Sequence, residues 1–350
     1  MKKGFYVFAA MLIFMVADLT FVAASTKDER REALDSAFKN GMSRTGELAY
    51  ESASMLGAQP DAYIGKLFPS IPAHFSAGIS TAMTFTDSSF ATDALAALSD
   101  IMDSASVGTG LDIEQRFNVP KTVPFPALAA TARIGGIFLP FDAGFFIFST
   151  VPGMIKDVHA GDFDADIDML TVGADFRYAV YEGNLFIPKV SVGGGYIFTR
   201  SQVALDCNFS KSGTYTISSQ SLNGTAYANS SIDAKINTHT LFAEVQVSKR
   251  LLVFTPYAGF KAMLSSVHTE CEWDYNIYAT GTVGSVPTTL PIEKNGSKFS
   301  VDKGFDFANI SPQLFGGVGI NAAIVQFGLN GAWNIRTNHL SAGLSVNIKM

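Results

Sequence analysis

The sequence has few charges, only two cysteines and no long apolar run after its first two dozen residues. Charged residues make up 16% of the chain, against about 25% in an ordinary soluble protein. Hydrophobic residues reach 47%, with 29 Phe and 31 Gly. This composition excludes an intrinsically disordered chain, which would be poor in aromatics and rich in charge. A net charge of −6 and the lack of a basic run argue against nucleic acid as a partner.

The apolar residues that follow the first two dozen positions do not form a membrane-spanning helix, which needs about 18 consecutive apolar residues. The first residues have the pattern of a secretory signal peptide. Lys2 and Lys3 are its positive part, residues 4–16 its apolar part, and residues 22–24 its small-residue cleavage site. We expect residues 1–24 to be a signal peptide and the mature chain to be exported.

A helical pattern follows the signal peptide. Apolar residues recur at helical spacing over residues 26–58, and we expect Gly41 and Gly57 to break the helix. The predicted domain is a periplasmic helical segment over residues 25–71 that plugs or braces one mouth of the domain that follows.

Residues 72–350 are the predicted barrel domain, because segments within this range have a hydrophobic period of two, which is the period of strands with one apolar and one polar face. Phe176 and Tyr178, for example, alternate with Asp175 and Arg177. Ten segments have this pattern: 75–85, 126–138, 142–151, 170–180, 190–198, 241–247, 254–264, 309–321, 325–335 and 340–348.

The links between these segments alternate in length. Tight links lie at 140–143, 182–184, 249–250 and 321–323, and long polar links lie at 86–125, 152–165, 207–236 and 274–308. A short link at Thr337-Asn338 is the exception among the long ones. Short periplasmic turns and longer extracellular loops are typical of a transmembrane β-barrel. We therefore predict an all-β fold, a transmembrane antiparallel β-barrel of about ten strands (8–12), with a short N-terminal helical segment.

The alternative fold is a secreted β-sandwich, whose apolar faces lie inside and whose mixed-sign polar faces lie outside. The polar faces here are mainly Gly, Ser, Thr, Asn and Gln, with single charges of both signs. Small polar residues suit a narrow lumen, and Phe, Leu, Val and Tyr suit lipid. The barrel is therefore favoured.

The last segment resembles the C-terminal strand signal of bacterial outer-membrane β-barrel proteins. A polar residue, a glycine and two apolar residues stand at its spacing: Ser341, Gly343, Val346 and Ile348. The resemblance implies recognition by the barrel-assembly machinery and insertion among the lipids of the outer membrane. The sequence departs from the pattern because it ends Lys349-Met350 and not on an aromatic residue.

Charged residues on the predicted lumen face are the first candidate site. They are Arg133, Asp175, Arg177, Lys189, Glu244, Lys261 and Arg336. Rings of charge tune pores, but opposite charges also pair to fill a closed lumen, because a buried charge needs a partner. A ten-stranded barrel is only slightly wider than the eight-stranded ones that side chains fill, so pairing is the favoured interpretation.

An amphipathic helix is predicted over residues 88–105, in the first long loop. Its apolar stripe includes Phe90, Leu95, Leu98, Ile101 and Met102. The stripe either lines a hydrophobic ligand site, as in barrels of the fatty-acid transporter type, or caps the barrel mouth.

Metal binding and catalysis have weak signals. Asp162, Asp164, Asp166 and Asp168 have oxygen ligands suited to Ca²⁺, but the glycine and final glutamate of an EF-hand loop are absent, so we expect a solvated acidic rim. No metal or cofactor is predicted.

Two residue pairs resemble parts of outer-membrane hydrolase sites. Asp157 with His159 resembles the pair of aspartyl-type proteases, but no second acidic pair lies in a different loop. His339 with Ser341 resembles the pair of lipid A deacylases, but we expect no glutamate to orient the histidine. We therefore predict no catalytic residues.

Cys207 and Cys271 lie near the outer ends of two strands. The exported environment permits a disulfide between them, although their strands are not neighbours and the pairing depends on the paths of the loops.

The predicted function is a non-enzymatic outer-membrane barrel, porin-like or surface-structural, with long extracellular loops. One alternative is a transporter of hydrophobic solutes of the fatty-acid type. The other is an outer-membrane hydrolase of the protease or lipid A deacylase type. Small solutes or a hydrophobic ligand are the partners that these functions imply.

Overall fold

The computed structural model describes residues 27–64, 74–87, 122–135, 140–149, 158–160, 163–184, 186–217, 220–283 and 286–349. These residues form helix α1 (Lys27–Ser54), a 3₁₀ turn (Phe307–Asn309) and twelve strands. The strands are β1 (Phe75–Asp87), β2 (Thr122–Gly135), β3 (Phe141–Ser149), β4 (Val158–Ala160), β5 (Phe163–Tyr181), β6 (Lys189–Ile217), β7 (Gln220–Ser248), β8 (Phe254–Val283), β9 (Val286–Lys303), β10 (Ser311–Ala322), β11 (Val325–Asn334) and β12 (Leu340–Lys349).

Ten of the described strands close into a ring. The last strand, β12, pairs with the first, β1, and β8 pairs with β10 over residues 254–263. The ring order is β1-β2-β3-β5-β6-β7-β8-β10-β11-β12, and every pairing is antiparallel. The ten ring strands are the ten segments that alternation identified. The predicted antiparallel barrel is confirmed.

The ring is apolar outside and polar inside. On β12, Leu344 and Val346 are exposed, whereas Ser345 and Asn347 are buried. A soluble protein rarely exposes a large contiguous apolar surface, but a transmembrane barrel presents such a surface to lipid. The orientation of the faces excludes the sandwich.

Three of the predicted long links are wrong in part, because strands extend through them. β6 and β7 continue as one hairpin through 207–236, β8 and β9 occupy most of 274–308, and β5 begins inside 152–165 at Phe163. We call the described parts of residues 163–169, 200–238 and 266–303 the extension.

The apolar face of β8 changes side where the extension begins. In the ring part of β8, Phe254 and Phe260 are exposed on the outer face. In the extension, Trp273 and Ile277 are buried on the inner face, and Glu272 is exposed on the outer face. The outward apolar stretch 254–264 has the length of a tilted transmembrane strand, about 9–11 residues. The extension is therefore outside the bilayer.

Helix α1 runs unbroken through Gly41, so the predicted break there is wrong. The predicted signal peptide (1–24) and the stripe from Phe90 to Met102 lie outside the described residues. No α-helix of the described residues is both long enough and apolar enough to cross a lipid bilayer.

Candidate functional site: the occupied lumen

The lumen is filled by residues 47–64 of the chain, which we call the inner segment. Nearly all of its side chains are buried, among them the small residues Ala49 and Ala53. Small residues allow a helix, ordinarily about 10–12 Å wide with its side chains, to fit inside a ten-stranded ring. Residues of the inner segment form one apolar cluster with wall residues such as Phe146, Phe242 and Phe315.

The end of the inner segment is bound at the short-turn mouth of the barrel. The Ala62 amide donates a hydrogen bond to Ser248 Oγ at 2.9 Å. The Ile64 amide donates to Asp142 Oδ2 at 2.9 Å. Lys349 forms an ion pair with Asp61. These wall residues all lie beside short turns or at the end of β12, which places residues 61–64 at that mouth.

Four buried charges form a network beside this end. Arg133 binds Asp142 and Asp175, both at 2.6 Å. Arg177 binds Asp142 through Nη2 at 2.8 Å and through Nε at 2.9 Å. Arg177 also donates to the carbonyl oxygen of Asp61 at 2.9 Å. Each charge touches one of opposite sign, the condition under which buried charges are tolerated.

Asp142 was absent from the predicted lumen charges. The sequence places it in the tight link 140–143, whereas in β3 it stands two positions before Gly144 and shares its inward face. Parity of alternation along β3 is the sequence signal that would have included it.

Two lysines of the wall bind backbone carbonyls of the inner segment. Lys261 Nζ lies 2.8 Å from the Ser54 carbonyl oxygen and 3.3 Å from Glu244 Oε2. Ser54 ends α1, and a cation there is favourable because the last carbonyls of a helix carry partial negative charge. Lys189 Nζ donates to the Tyr63 carbonyl oxygen at 3.1 Å.

Glu51, in the first part of the inner segment, binds the end of β11 and the β11–β12 turn. It is fully buried and accepts hydrogen bonds at 2.8 Å from Asn334 Nδ2 and Thr337 Oγ1. Its other oxygen lies 2.8 Å from His339 Nδ1.

The expectation that no glutamate reaches His339 is therefore wrong, because Glu51 does so from elsewhere in the chain. Ser341 Oγ shares a hydrogen bond of 2.7 Å with Thr84 Oγ1. Both hydroxyls are buried, so this serine lies in the closed lumen and not in an open cleft.

The first part of α1 packs on the extension. Trp273 Nε1 donates to Asp35 Oδ1 at 2.9 Å. Further along the helix, Glu47 lies 3.2 Å from both Lys303 and Arg336. The predicted lumen charges thus separate into a group at the short-turn mouth, the Glu244–Lys261 pair in the middle, and Arg336 at the opposite end.

The segment that resembles an assembly signal forms β12. Ser341 and Gly343 face inward, whereas Val346 and Ile348 face lipid. This strand closes the ring between β11 and β1. Its recognition by the assembly machinery stays a prediction.

The disulfide that the sequence permits between Cys207 and Cys271 is not formed in the structure, where Cys271 carries a free, buried thiol. β7 runs between the strands of the two cysteines, whereas bridged Cα atoms lie within about 7 Å. Burial raises the pKa of the Cys271 thiol to about 12, and the nearby Asp35 adds to this.

The acidic run lies on the outer face of the extension. Asp164 is the cross-strand partner of Asp206, whose pKa is raised by partial burial and by the neighbouring carboxylates of Asp233, Asp164 and Asp274. Asp162 lies outside the described residues. Within the described part of the chain no three side chains are arranged to hold a metal ion.

We expect the pairing of β8 with β9 in the extension to depend on pH through His268. A hydrogen bond with Asp302, its cross-strand partner on β9, raises the pKa of His268. The contribution of this pair to hairpin stability is full below the ordinary histidine pKa of about 6.5 and is lost as the pH rises through the higher folded value.

An NMR titration of His268 should give a midpoint above the ordinary histidine value, and Asp302→Asn should lower that midpoint. Equal midpoints in the two proteins would show that the pair has no effect.

A shallow apolar groove of about 500 Å³ lies on the outer face of β1 and β10–β12. The cross-strand row Gly316, Gly331 and Ala342 forms its floor. Larger side chains, including Leu314 and Trp333, stand beside it.

No protein-family model and no curated relative matches the sequence. Similar solved structures include the translocator domain of autotransporter NalP from Neisseria meningitidis, at 7% identity and a TM-score of 0.30, covering 90% of this chain and 97% of that one. The toluene transporter TbuX from Ralstonia pickettii has 12% identity, a TM-score of 0.23 and coverages of 86% and 91%. A FadL homologue from Pseudomonas aeruginosa has 9% identity, a TM-score of 0.24 and coverages of 86% and 97%.

At such low identities and TM-scores these likenesses carry no argument about function. The class of the fold follows from two features of the chain itself: its strands close into a ring, and that ring is apolar outside and polar inside. Its fold is that of a bacterial outer-membrane β-barrel.

Proposed function

We propose that this protein is a non-enzymatic outer-membrane β-barrel with a closed lumen and a surface-structural role, in which the barrel anchors the extension outside the cell. One observation carries the proposal. The inner segment is bonded to the wall at the short-turn mouth, in the middle and at the far end of the lumen. An open porin instead has a water-filled channel.

The proposed orientation puts the short turns in the periplasm and the extension outside. Two features support it. Outer-membrane barrels have short periplasmic turns and longer extracellular segments, and the polarity of β8 reverses only toward the extension. Export by a signal peptide at residues 1–24 and insertion by the barrel-assembly machinery belong to this proposal.

Planar-bilayer recording of the purified protein tests closure. We expect a folded barrel, recognised by a gel shift on boiling, that shows no steady ion conductance, because its lumen is occupied. Stable ion steps in most inserted barrels would overturn the proposal and favour a porin.

Transport of a hydrophobic solute is the second candidate function, and the lipid-facing groove is the observation that favours it. Fatty-acid binding by the same protein, without ion steps, would support transport over a purely structural role. The predicted ligand helix at 88–105 lies outside the described residues and adds nothing to either candidate.

A further inference from the structure

The inner segment has a defined direction in the lumen. Asp61 and Ile64 are bound at the short-turn mouth, and Glu51 is bound to the turn between β11 and β12, toward the opposite end. Asp35 is bound to Trp273 and Ser297 in the β8–β9 hairpin, beyond the ring. The chain therefore traverses the lumen from the extension to the short-turn mouth before it enters β1.

The helix and the wall fit closely where α1 passes from the extension into the ring. Gly46 is buried, and a Cβ atom there would lie 2.6 Å from Val267 Cγ1. A larger side chain at Gly46 would push the helix away from β8. The close approach of the α1 backbone to β8 indicates that helix and wall are complementary in shape, as in a packed protein interior.

We infer that the chain crosses the outer membrane through its own lumen, so that the N-terminal half of α1, residues 27–39, lies on the cell surface. The lumen thus holds one segment of the chain, and the N-terminal end of that segment faces the outside of the cell. The predicted periplasmic location of the helical segment is replaced by this arrangement. The inference rests on the orientation in the proposed function.

The test is labelling of single cysteines on intact cells with a membrane-impermeant maleimide. The background carries Cys207→Ser and Cys271→Ser. Ser36→Cys reports the helix and Ser300→Cys reports the extension; both serines are exposed. Arg250→Cys, in an exposed short turn, is the periplasmic control. Each variant must keep the heat-dependent gel shift of a folded barrel.

We expect Ser36→Cys and Ser300→Cys to label on intact cells, and Arg250→Cys to label only after the outer membrane is permeabilised. If Ser300→Cys labels and Ser36→Cys does not, the passage of α1 through the lumen is wrong while the proposed orientation stands. If only Arg250→Cys labels on intact cells, the orientation itself fails, and the inference fails with it.

Discussion

Replacing Asp142 with alanine is expected to lower the free energy of unfolding by about 3–5 kcal/mol, the usual cost of removing one partner of a buried ion pair. Asp142 is fully buried and lies between the guanidinium groups of Arg133 and Arg177. Its loss leaves Arg177 without an acidic partner among the described residues. The Ile64 amide of the inner segment loses its acceptor as well.

Urea unfolding of Asp142→Ala in detergent micelles, followed by tryptophan fluorescence, measures this loss. Glu272→Ala is the matched control, because Glu272 is an exposed carboxylate whose pair with Lys298 lies in solvent. Such pairs contribute about 0–1 kcal/mol. Similar losses in the two variants would show that the buried network does not stabilise the barrel.

Replacing Glu51 with leucine is expected to raise the open fraction of the barrel by at least about 10-fold, the effect of losing only one of its hydrogen bonds. Hydrogen bonds to a charged group contribute about 1.5–3 kcal/mol each, and about 1.4 kcal/mol changes a ratio of populations tenfold. The variant keeps the bulk of the side chain but leaves Asn334 and Thr337 without their carboxylate acceptor. The inner segment is then held less firmly against β11 and β12.

Single-channel recording compares Glu51→Leu with Glu51→Gln. The glutamine keeps an oxygen that accepts a hydrogen bond, so we expect a smaller rise in its open fraction. Both must show the heat-dependent gel shift. An open fraction unchanged in Glu51→Leu would mean that other contacts alone hold the inner segment in place.

The barrel wall was predictable because its signal is local. In β5, Phe176 and Tyr178 alternate with Arg177 at consecutive positions, and the environment of each face selects the residue type directly. The strands of the extension were missed because their apolar face changes side. Trp273 and Ile277 point inward among outward carboxylates, so the segment has the polarity of a loop outside the membrane.

The contents of the lumen were only partly predictable. Some of the predicted lumen charges pair with one another, as Arg133 does with Asp175 and Lys261 with Glu244, but the partners that the inner segment supplies could not be predicted. Glu51 and His339 are 288 positions apart, and no periodicity relates them. Asp61, which binds Lys349 across the short-turn mouth, had no signal that set it apart from an exposed acidic residue.

The scarcity of charge and of long apolar runs is explained by a wall whose apolar residues occupy every second position. The sequence by itself determined the ten ring strands, their antiparallel order and the face that each turns to lipid, because these depend on a two-residue period and on short turns. Only the tertiary structure decided that the lumen is occupied, in which direction α1 runs through it, and how its buried charges pair. Those outcomes depend on contacts between residues distant in sequence, where the requirement that each buried charge meets a partner acts in space and not along the chain.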